Sequence, residues 1–258
     1  LHIGFIVSII NIILEKAKVN KKVGFVIMFI LLFFYCYICG FSPSVSRACL
    51  MSIIFMLARL IYYKYDRLNC LSFCAWIILF IKPLYIFDAG FLLSFVSVFC
   101  IFTLTDVFNK LFSKIKYKKL SNTLAVIFSV QVGLIPIMSL FYNNFNLFSY
   151  LTNFICVPLF EIIFILTFIF IPLCMLFPFL IFTLKFVELL YFVLTTIAGF
   201  MASISWANIN LIKSKEVFCV GFYSGVFICS KYISIKPKLK LITTTAILMF
   251  SVLCSLCC

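Results

Sequence analysis

Two arginines lie inside an apolar run of the sequence that is about as long as a transmembrane helix. The run Phe41–Tyr63 contains Arg47 and Arg59. A guanidinium keeps its charge, so each side chain must either reach the headgroups or face a polar interior. In a polar interior, a permanent cation is a binding group for phosphate. The two arginines are 12 residues apart. This places them about 120° apart around a helix, so they do not form one cationic stripe.

Four other polar side chains stand out against the apolar background: Asp88, Gln131, Asn153 and Glu161. Asp88 is expected to cap a helix, with an ion pair to Arg47 as the alternative. Gln131 and Asn153 are candidates either for hydrogen bonds between helices or for contacts with a substrate. Glu161 lies within an apolar run without an obvious local partner. It is therefore a candidate functional residue, with Arg47 as one conceivable partner.

The sequence offers no pattern for a metal or cofactor site. His2 is the only histidine, which excludes a His-rich catalytic metal centre in this chain. The 13 cysteines are mostly scattered through apolar segments, and we interpret them as small hydrophobic residues. Cys254, Cys257 and Cys258 hint at a metal or lipidation site, but they lack partnering histidines or a recognised context. We therefore predict no cofactor.

The composition defines the fold class. Hydrophobic residues make up 66% of the 258 residues, charged residues 11%, and the mean hydropathy is +1.28. Soluble domains are about 45–50% apolar, so the composition predicts a polytopic membrane protein. The long apolar runs favour helices over barrel strands, and we predict an all-α transmembrane bundle with kinked or broken helices.

The sequence begins at Leu1, within an apolar run and without a methionine, and we expect it to be a fragment of a longer protein.

Short polar breaks divide the chain into apolar segments. The stretch from Pro172 to Ile204 suits either one long crossing or two short ones. Ser42 is expected to cap the arginine-containing helix, with Pro43 at its first position. Pro136 is expected to kink its span, because it frees the carbonyl four residues back. The other predicted segments are 1–14 (part of a first helix), Val23–Cys39, Leu68–Ile81, a helix opened by Asp88, Leu120–Tyr142, Phe148–Ile171, Val217–Ser230 and Leu239–Cys258.

The basic residues predict an orientation in the membrane. The chain has 21 Lys and Arg against 7 Asp and Glu, a net charge of +14, and basic residues collect in cytoplasmic loops. If residues 15–22 are cytoplasmic, four crossings return the basic loop Asn109–Lys119 to the cytoplasm, with 64–67 also inside. The turn at 40–44 and the loop Lys82–Asp88 then lie outside. Beyond Pro172 the sequence leaves the number of crossings open.

Three polar-marked patches occur in order along the chain. They are GFSPSVSRACLMS (Gly40–Ser52), PLYIFDAGFLLSF (Pro83–Phe95, which contains Ser94) and QVGLIPIMSLFYNNFNLFSYLTNFICVPL (Gln131–Leu159). The patches resemble the Arg-Ala-x-x-Met helix start, the Gly-Phe-x-Leu-Ser-Phe helix and the Pro…Asn…Pro segment of the ComEC-type competence proteins. The resemblance covers most of residues 1–206 and is weak over 206–258, and we assign the whole of 1–258 to one transmembrane competence-type domain. The chain departs from the family at Leu92, where glutamine is common, and at Lys82, where an acidic residue is common.

The resemblance implies the inner-membrane channel that takes up DNA during natural transformation. It implies single-stranded DNA and the lipid bilayer as partners, a surface DNA receptor, a cytoplasmic motor and a second copy of the chain. Arg47, Arg59, Asp88, Ser94, Gln131, Asn153 and Glu161 are the candidates for the DNA pathway. The chain contains no His-x-His-x-Asp-His signature, so we assign no enzymatic activity to it. The implied location is the cell membrane of a bacterium.

Two other interpretations fit the same features. Broken helices with buried charges and prolines are also typical of secondary transporters for small anionic or lipid-linked solutes. That class predicts inverted internal repeats, and the two halves of this chain show no convincing self-similarity. The second alternative is an inactive, truncated remnant.

A DNA channel needs a wet or polar-lined path with weak, repeated contacts, because each nucleotide carries a charge that the bilayer core rejects.

Overall fold

The computed structural model describes residues 2–112, 117–142, 144–146, 149–177, 181–203, 208–210, 216–229 and 243. The described residues are almost all helical. The helices are α1 His2–Lys16, α2 Lys21–Ile38, α3 Pro43–Leu60, α4 Arg67–Ile81, a 3-10 helix at Pro83–Phe87, α5 Ala89–Leu111, α6 Lys118–Phe141, α7 Ser149–Leu176, α8 Ile181–Ser203 and α9 Glu216–Cys229. The predicted segment Leu239–Cys258 lies outside the described residues apart from residue 243.

Six helices in the described part of the chain are long and apolar enough to cross a membrane: α2, α3, α5, α6, α7 and α8. α4 and the apolar part of α9 are shorter apolar helices. The prediction of an all-α, multi-span membrane fold is confirmed.

A short antiparallel strand pair is the exception to the helical architecture. Strand β1 is Asn144–Asn146 and strand β2 is Asn208–Asn210, and the register pairs Asn144 with Asn210 and Asn146 with Asn208. The sequence predicts only a short polar break at the first of these segments, between Leu120–Tyr142 and Phe148–Ile171. A three-residue strand is too short to leave a recognisable alternating pattern, and its partner lies far along the chain.

One helix boundary and one helix cap differ from the prediction. Pro172 lies within α7, which continues to Leu176, and residues 181–203 form one helix. Water does not compete for backbone groups in a membrane, so a proline near a helix end costs one hydrogen bond without ending the helix. The other difference concerns Ser42. It occupies the N-cap position before Pro43, but its side chain makes no capping hydrogen bond and only its carbonyl accepts one, from the Ser46 N–H at 2.9 Å.

Three connected helices end with the same backbone motif. After α2, the Phe41 N–H donates to the Cys36 carbonyl at 2.9 Å and the Gly40 N–H donates to the Tyr37 carbonyl at 3.0 Å. This is the Schellman arrangement, which requires a left-handed residue after the helix, and Gly40 has φ 64°. Lys18 after α1 and Tyr62 after α3 take the same conformation, with φ 52° and 54°. The motif turns the chain sharply after each of α1, α2 and α3.

The chain divides into two compact units, Leu1–Leu104 and Thr105–Cys258, with the boundary inside α5. The first unit contains two apolar clusters. One joins Met28 and Leu32 of α2 to Ile3, Val7 and Cys49. The other combines residues of α4 with the start of α5, with Leu71, Cys74, Ile78, Phe91 and Phe95 at its centre.

In the second unit, α7 packs along α8, and α6 contacts both α7 and α9. The inward face of α6 is unusually polar for a membrane helix, because Ser121, Ser129, Gln131 and Ser139 are all buried. Pro136 lies inside this helix and is fully buried.

Candidate functional site

Arg47 lies one turn into α3, where the N-cap Ser42 and Pro43 fix the start of the helix. The side chain is half-buried. Leu50, Met51 and Ile54 of the same helix pack against the cluster formed by α4 and α5. Arg47 therefore emerges from a helix face that is largely covered by apolar groups, where a guanidinium loses much of its hydration.

The Arg47 guanidinium contacts α5 directly. Its Nε donates a hydrogen bond of 2.8 Å to the Oγ of Ser94, a side chain that is only 8% exposed. The guanidinium carbon also lies 6.0 Å from the centre of the Phe95 ring, within the range of a cation–π contact. This contact joins the first patch of the sequence to the second.

The same guanidinium retains hydrogen-bonding capacity. Nη1 lies 4.0 Å from the sulfur of Met51, a weak acceptor. Within the described part of the chain, no group accepts a hydrogen bond from Nη2 and no carboxylate forms an ion pair with Arg47. Arg47 is thus a fixed cation, held on one edge by Ser94, and the described residues place no strong acceptor on its other edge.

Asp88 caps α5 and does not pair with Arg47. Its Oδ1 accepts a hydrogen bond of 2.8 Å from the Phe91 N–H, and its carbonyl accepts one of 3.1 Å from the Leu92 N–H. A Cβ at residue 90 would lie 3.0 Å from the same Oδ1, so Gly90 leaves room for the cap. Asp88 thereby fixes the start of the helix that carries Ser94.

Arg59 lies in the last turn of α3 and is exposed. Its guanidinium stacks over the Phe55 ring at 6.0 Å, and the same ring meets Tyr65 edge-on at 5.2 Å. Burial raises the pKa of Tyr65. Arg59 also lines a cavity between α1, α2 and α3, together with Glu15 and Lys21. It is therefore separate from the Arg47 contact, as the 12-residue spacing predicts.

The remaining candidates lie in the second unit. Gln131 is buried in α6 at 8% exposure, Asn153 is half-buried in α7, and Glu161 is an exposed residue of α7. Their roles in a DNA pathway stay predictions.

Sequence reasoning missed two polar contacts in this unit. Thr105 Oγ1 donates to Ser129 Oγ at 3.3 Å, and Ser129 in turn donates to the Ala125 carbonyl at 2.6 Å. The Tyr223 hydroxyl of α9 donates a hydrogen bond of 2.9 Å to the Gly133 carbonyl of α6. The available signal was the presence of serine, threonine and tyrosine inside apolar helices, which often mark helix–helix contacts.

No group of three or more His, Cys, Asp or Glu side chains is arranged to bind a metal ion within the described ranges of the chain. The candidate site therefore consists of polar contacts within and between helices, with Arg47 and Ser94 as its best-defined pair.

Comparison with known proteins gives a family match over most of the chain. The family model described as "Competence protein" matches residues 1–236. ComE operon protein 3 of Bacillus subtilis (strain 168) is 23% identical over 158 residues. That alignment covers 61% of this chain but 20% of the relative, so the chain spans about a fifth of that protein's length. No solved structure matches the chain.

Proposed function

We propose, because this chain belongs to the competence protein family, that it is the membrane channel domain through which single-stranded DNA enters a bacterial cell during natural transformation. The proposal covers the whole of residues 1–258 as one transmembrane domain. It assigns transport without a covalent step, in the cell membrane. The observation that carries it beyond the family match is the contact between Arg47 and Ser94.

The contact supports a polar path because it leaves part of the Arg47 guanidinium without a strong hydrogen-bond acceptor among the described residues. A cation inside an apolar helix is costly unless acceptors surround it, and here one hydroxyl and a sulfur are the acceptors that the described residues supply. A passing phosphate would supply the missing acceptor, through the planar fork that a guanidinium presents to oxyanions. A single guanidinium makes a contact weak enough to release the strand, as conduction requires.

The other candidates take supporting roles in this proposal. Asp88 positions Ser94 by fixing the start of α5. Gln131, on the polar face of α6, and Asn153 and Glu161, on α7, are proposed as polar groups that contact the strand within the second unit. A surface DNA receptor, a cytoplasmic motor and a second copy of the chain are proposed partners that the family resemblance implies.

Gene deletion tests the proposed function. In a transformable host that lacks the gene, we expect DNA to bind to the cell surface but not to become protected from added nuclease. Expression of the gene from a plasmid should restore protection. Unchanged uptake in the deletion strain would contradict a role in DNA transport, whereas loss of surface binding would indicate a receptor function instead.

A further inference from the structure

A small cavity at one end of the first unit combines charged and apolar walls. It has a volume of about 150 Å³ and lies where α1 ends, α2 begins and α3 ends. This is room for several water molecules or a small polar group. Asn11, Glu15, Lys21 and Arg59 form its polar wall, and Leu14 and Met56 contribute to its apolar wall.

The charged groups of this cavity are not paired with each other. Within the described residues, neither Glu15 nor Arg59 makes an ion pair or a hydrogen bond through its side chain, although both line the same space. Arg59 is held in place by the Phe55 ring at 6.0 Å. Lys21 is held by Tyr62, with the ammonium 5.5 Å from the ring centre and 3.5 Å from the hydroxyl. The two cations and the carboxylate are therefore positioned around the cavity without neutralising each other.

The local electrostatics favour an anion on the Lys21 side. Lys21 and Lys22 are the first residues of α2, whose first turn contains no acidic residue. Cations at a helix N-terminus oppose the helix dipole, and a bound anion would relieve this conflict. The Arg59 guanidinium adds a second donor group from α3.

The lining residues from α1 favour a cation. Asn11 and Glu15 are one turn apart on α1 and both line the cavity, so that an amide and a carboxylate are available to a ligand there. A ligand that satisfies both Lys21 and Arg59 on the one hand and Asn11 and Glu15 on the other carries an anionic group and a cationic group. The apolar wall, at the end of helices that belong in a bilayer, additionally favours a ligand with an attached acyl chain.

We infer that this cavity is a binding site for a phospholipid headgroup that carries both a phosphate and a primary ammonium, as phosphatidylethanolamine does. The phosphate binds to Lys21 and Arg59, and the ammonium binds to Glu15 and Asn11. The first carbons of the acyl chains lie against Leu14 and Met56. The inference does not rest on DNA transport, and a lipid site here would exist in a channel or in a transporter.

Lipid titration followed by native mass spectrometry tests the inference. The full chain, purified in detergent, is titrated with phosphatidylethanolamine, phosphatidylglycerol or glycerophosphoethanolamine, which carries the same headgroup without acyl chains. We expect phosphatidylethanolamine to bind most tightly. Arg59→Ala should weaken this binding about tenfold, the effect of losing one charge-assisted hydrogen bond. Lys64→Ala is the matched control, because Lys64 is an exposed cation close in sequence that does not line the cavity.

A second variant tests the ammonium side. Glu15→Gln should leave phosphatidylglycerol binding unchanged and remove the preference for phosphatidylethanolamine. Equal binding of the two lipids by the unmodified chain would overturn the assignment of the ammonium. Equal binding of glycerophosphoethanolamine would overturn the assignment to a lipid, and an Arg59→Ala variant that binds like Lys64→Ala would overturn the site. Arg59→Lys, which keeps the charge, separates a binding defect from a folding defect because it should restore most of the affinity.

Discussion

Arg47 is the residue on which the proposed function depends. The sequence identifies it, because a permanent charge one turn inside an apolar helix has to be explained. The sequence does not identify its partner. Asp88 caps α5, as the sequence predicts, and does not form the alternative ion pair, so that Ser94 receives the hydrogen bond from Arg47. Which hydroxyl reaches the arginine depends on how α3 and α5 pack, and no local pattern encodes that packing.

Substitutions of Arg47 are expected to separate the contribution of its positive charge to DNA uptake from that of its planar guanidinium. Arg47→Ala should lower nuclease-protected DNA uptake about tenfold or more, since a hydrogen bond to a charged group contributes about 1.5–3 kcal/mol. Arg47→Lys should retain part of the activity, because an ammonium keeps the charge but lacks the planar fork. The measurement is the ratio of protected to surface-bound labelled DNA in complemented cells.

Lys64→Ala is the control for this series, since Lys64 is an exposed cation in the loop after α3. It should leave the ratio unchanged. An Arg47→Ala strain with normal uptake and normal amounts of protein in the membrane would show that Arg47 does not contact the DNA.

At the scale of the helices, the sequence predicts most elements and misses those that depend on the membrane or on distant segments. The predicted Leu120–Tyr142 corresponds to α6 at Lys118–Phe141, and Val217–Ser230 to α9 at Glu216–Cys229. The break expected at Pro172 is wrong, because α7 runs through it. The strands β1 and β2 could not be predicted, because each is stabilised by a partner more than sixty residues away.

Helix termination at Gly40 can be tested by a pair of glycine substitutions. Gly40 has φ 64° and closes the Schellman motif after α2, so Gly40→Ala should destabilise the protein by about 1 kcal/mol. Gly199 lies inside α8, with no other group near the position of an added Cβ. Gly199→Ala should therefore stabilise the protein by up to about 1 kcal/mol. Thermal unfolding in detergent should show shifts of opposite sign, and equal shifts would contradict the assigned backbone conformation.

The contact between α6 and α9 gives a second test at this scale. Removal of the Tyr223 hydroxyl in Tyr223→Phe leaves the Gly133 carbonyl without this donor and should cost about 1 kcal/mol. For a chain of this size, that corresponds to a decrease in Tm of about 2–4 °C. Ser224→Ala is the matched control, because Ser224 is exposed and, among the described residues, donates to the Gly221 carbonyl of its own helix. Identical Tm values for the two variants would show that the hydroxyl does not hold the helices together.

At the scale of the whole molecule, the distribution of basic residues predicts how the chain crosses the membrane. The prediction requires α4 to cross, although its 15 residues span only about 22 Å against a hydrocarbon core of ~30 Å. A reporter fused after Lys64 should therefore lie in the cytoplasm, and one fused after Phe87 should lie outside. The side of the membrane at each position is measured with two fusions, one to a reporter that is active only outside the cytoplasm and one to a reporter that is fluorescent only inside it. Two fusions on the same side would show that α4 does not cross, and the predicted position of the basic loop Asn109–Lys119 would then be wrong.

Photo-crosslinking during transport tests most directly whether DNA passes along the Arg47–Ser94 contact. A photoreactive amino acid replaces Ser97, which lies one turn after Ser94 on the same face of α5, and cells that take up labelled DNA are illuminated. The control position is Phe80 of α4, which is 77% exposed and expected to face lipid. If DNA passes along this contact, we expect DNA adducts at residue 97 and none at residue 80. Adducts at neither position, in cells that import DNA normally, would contradict it.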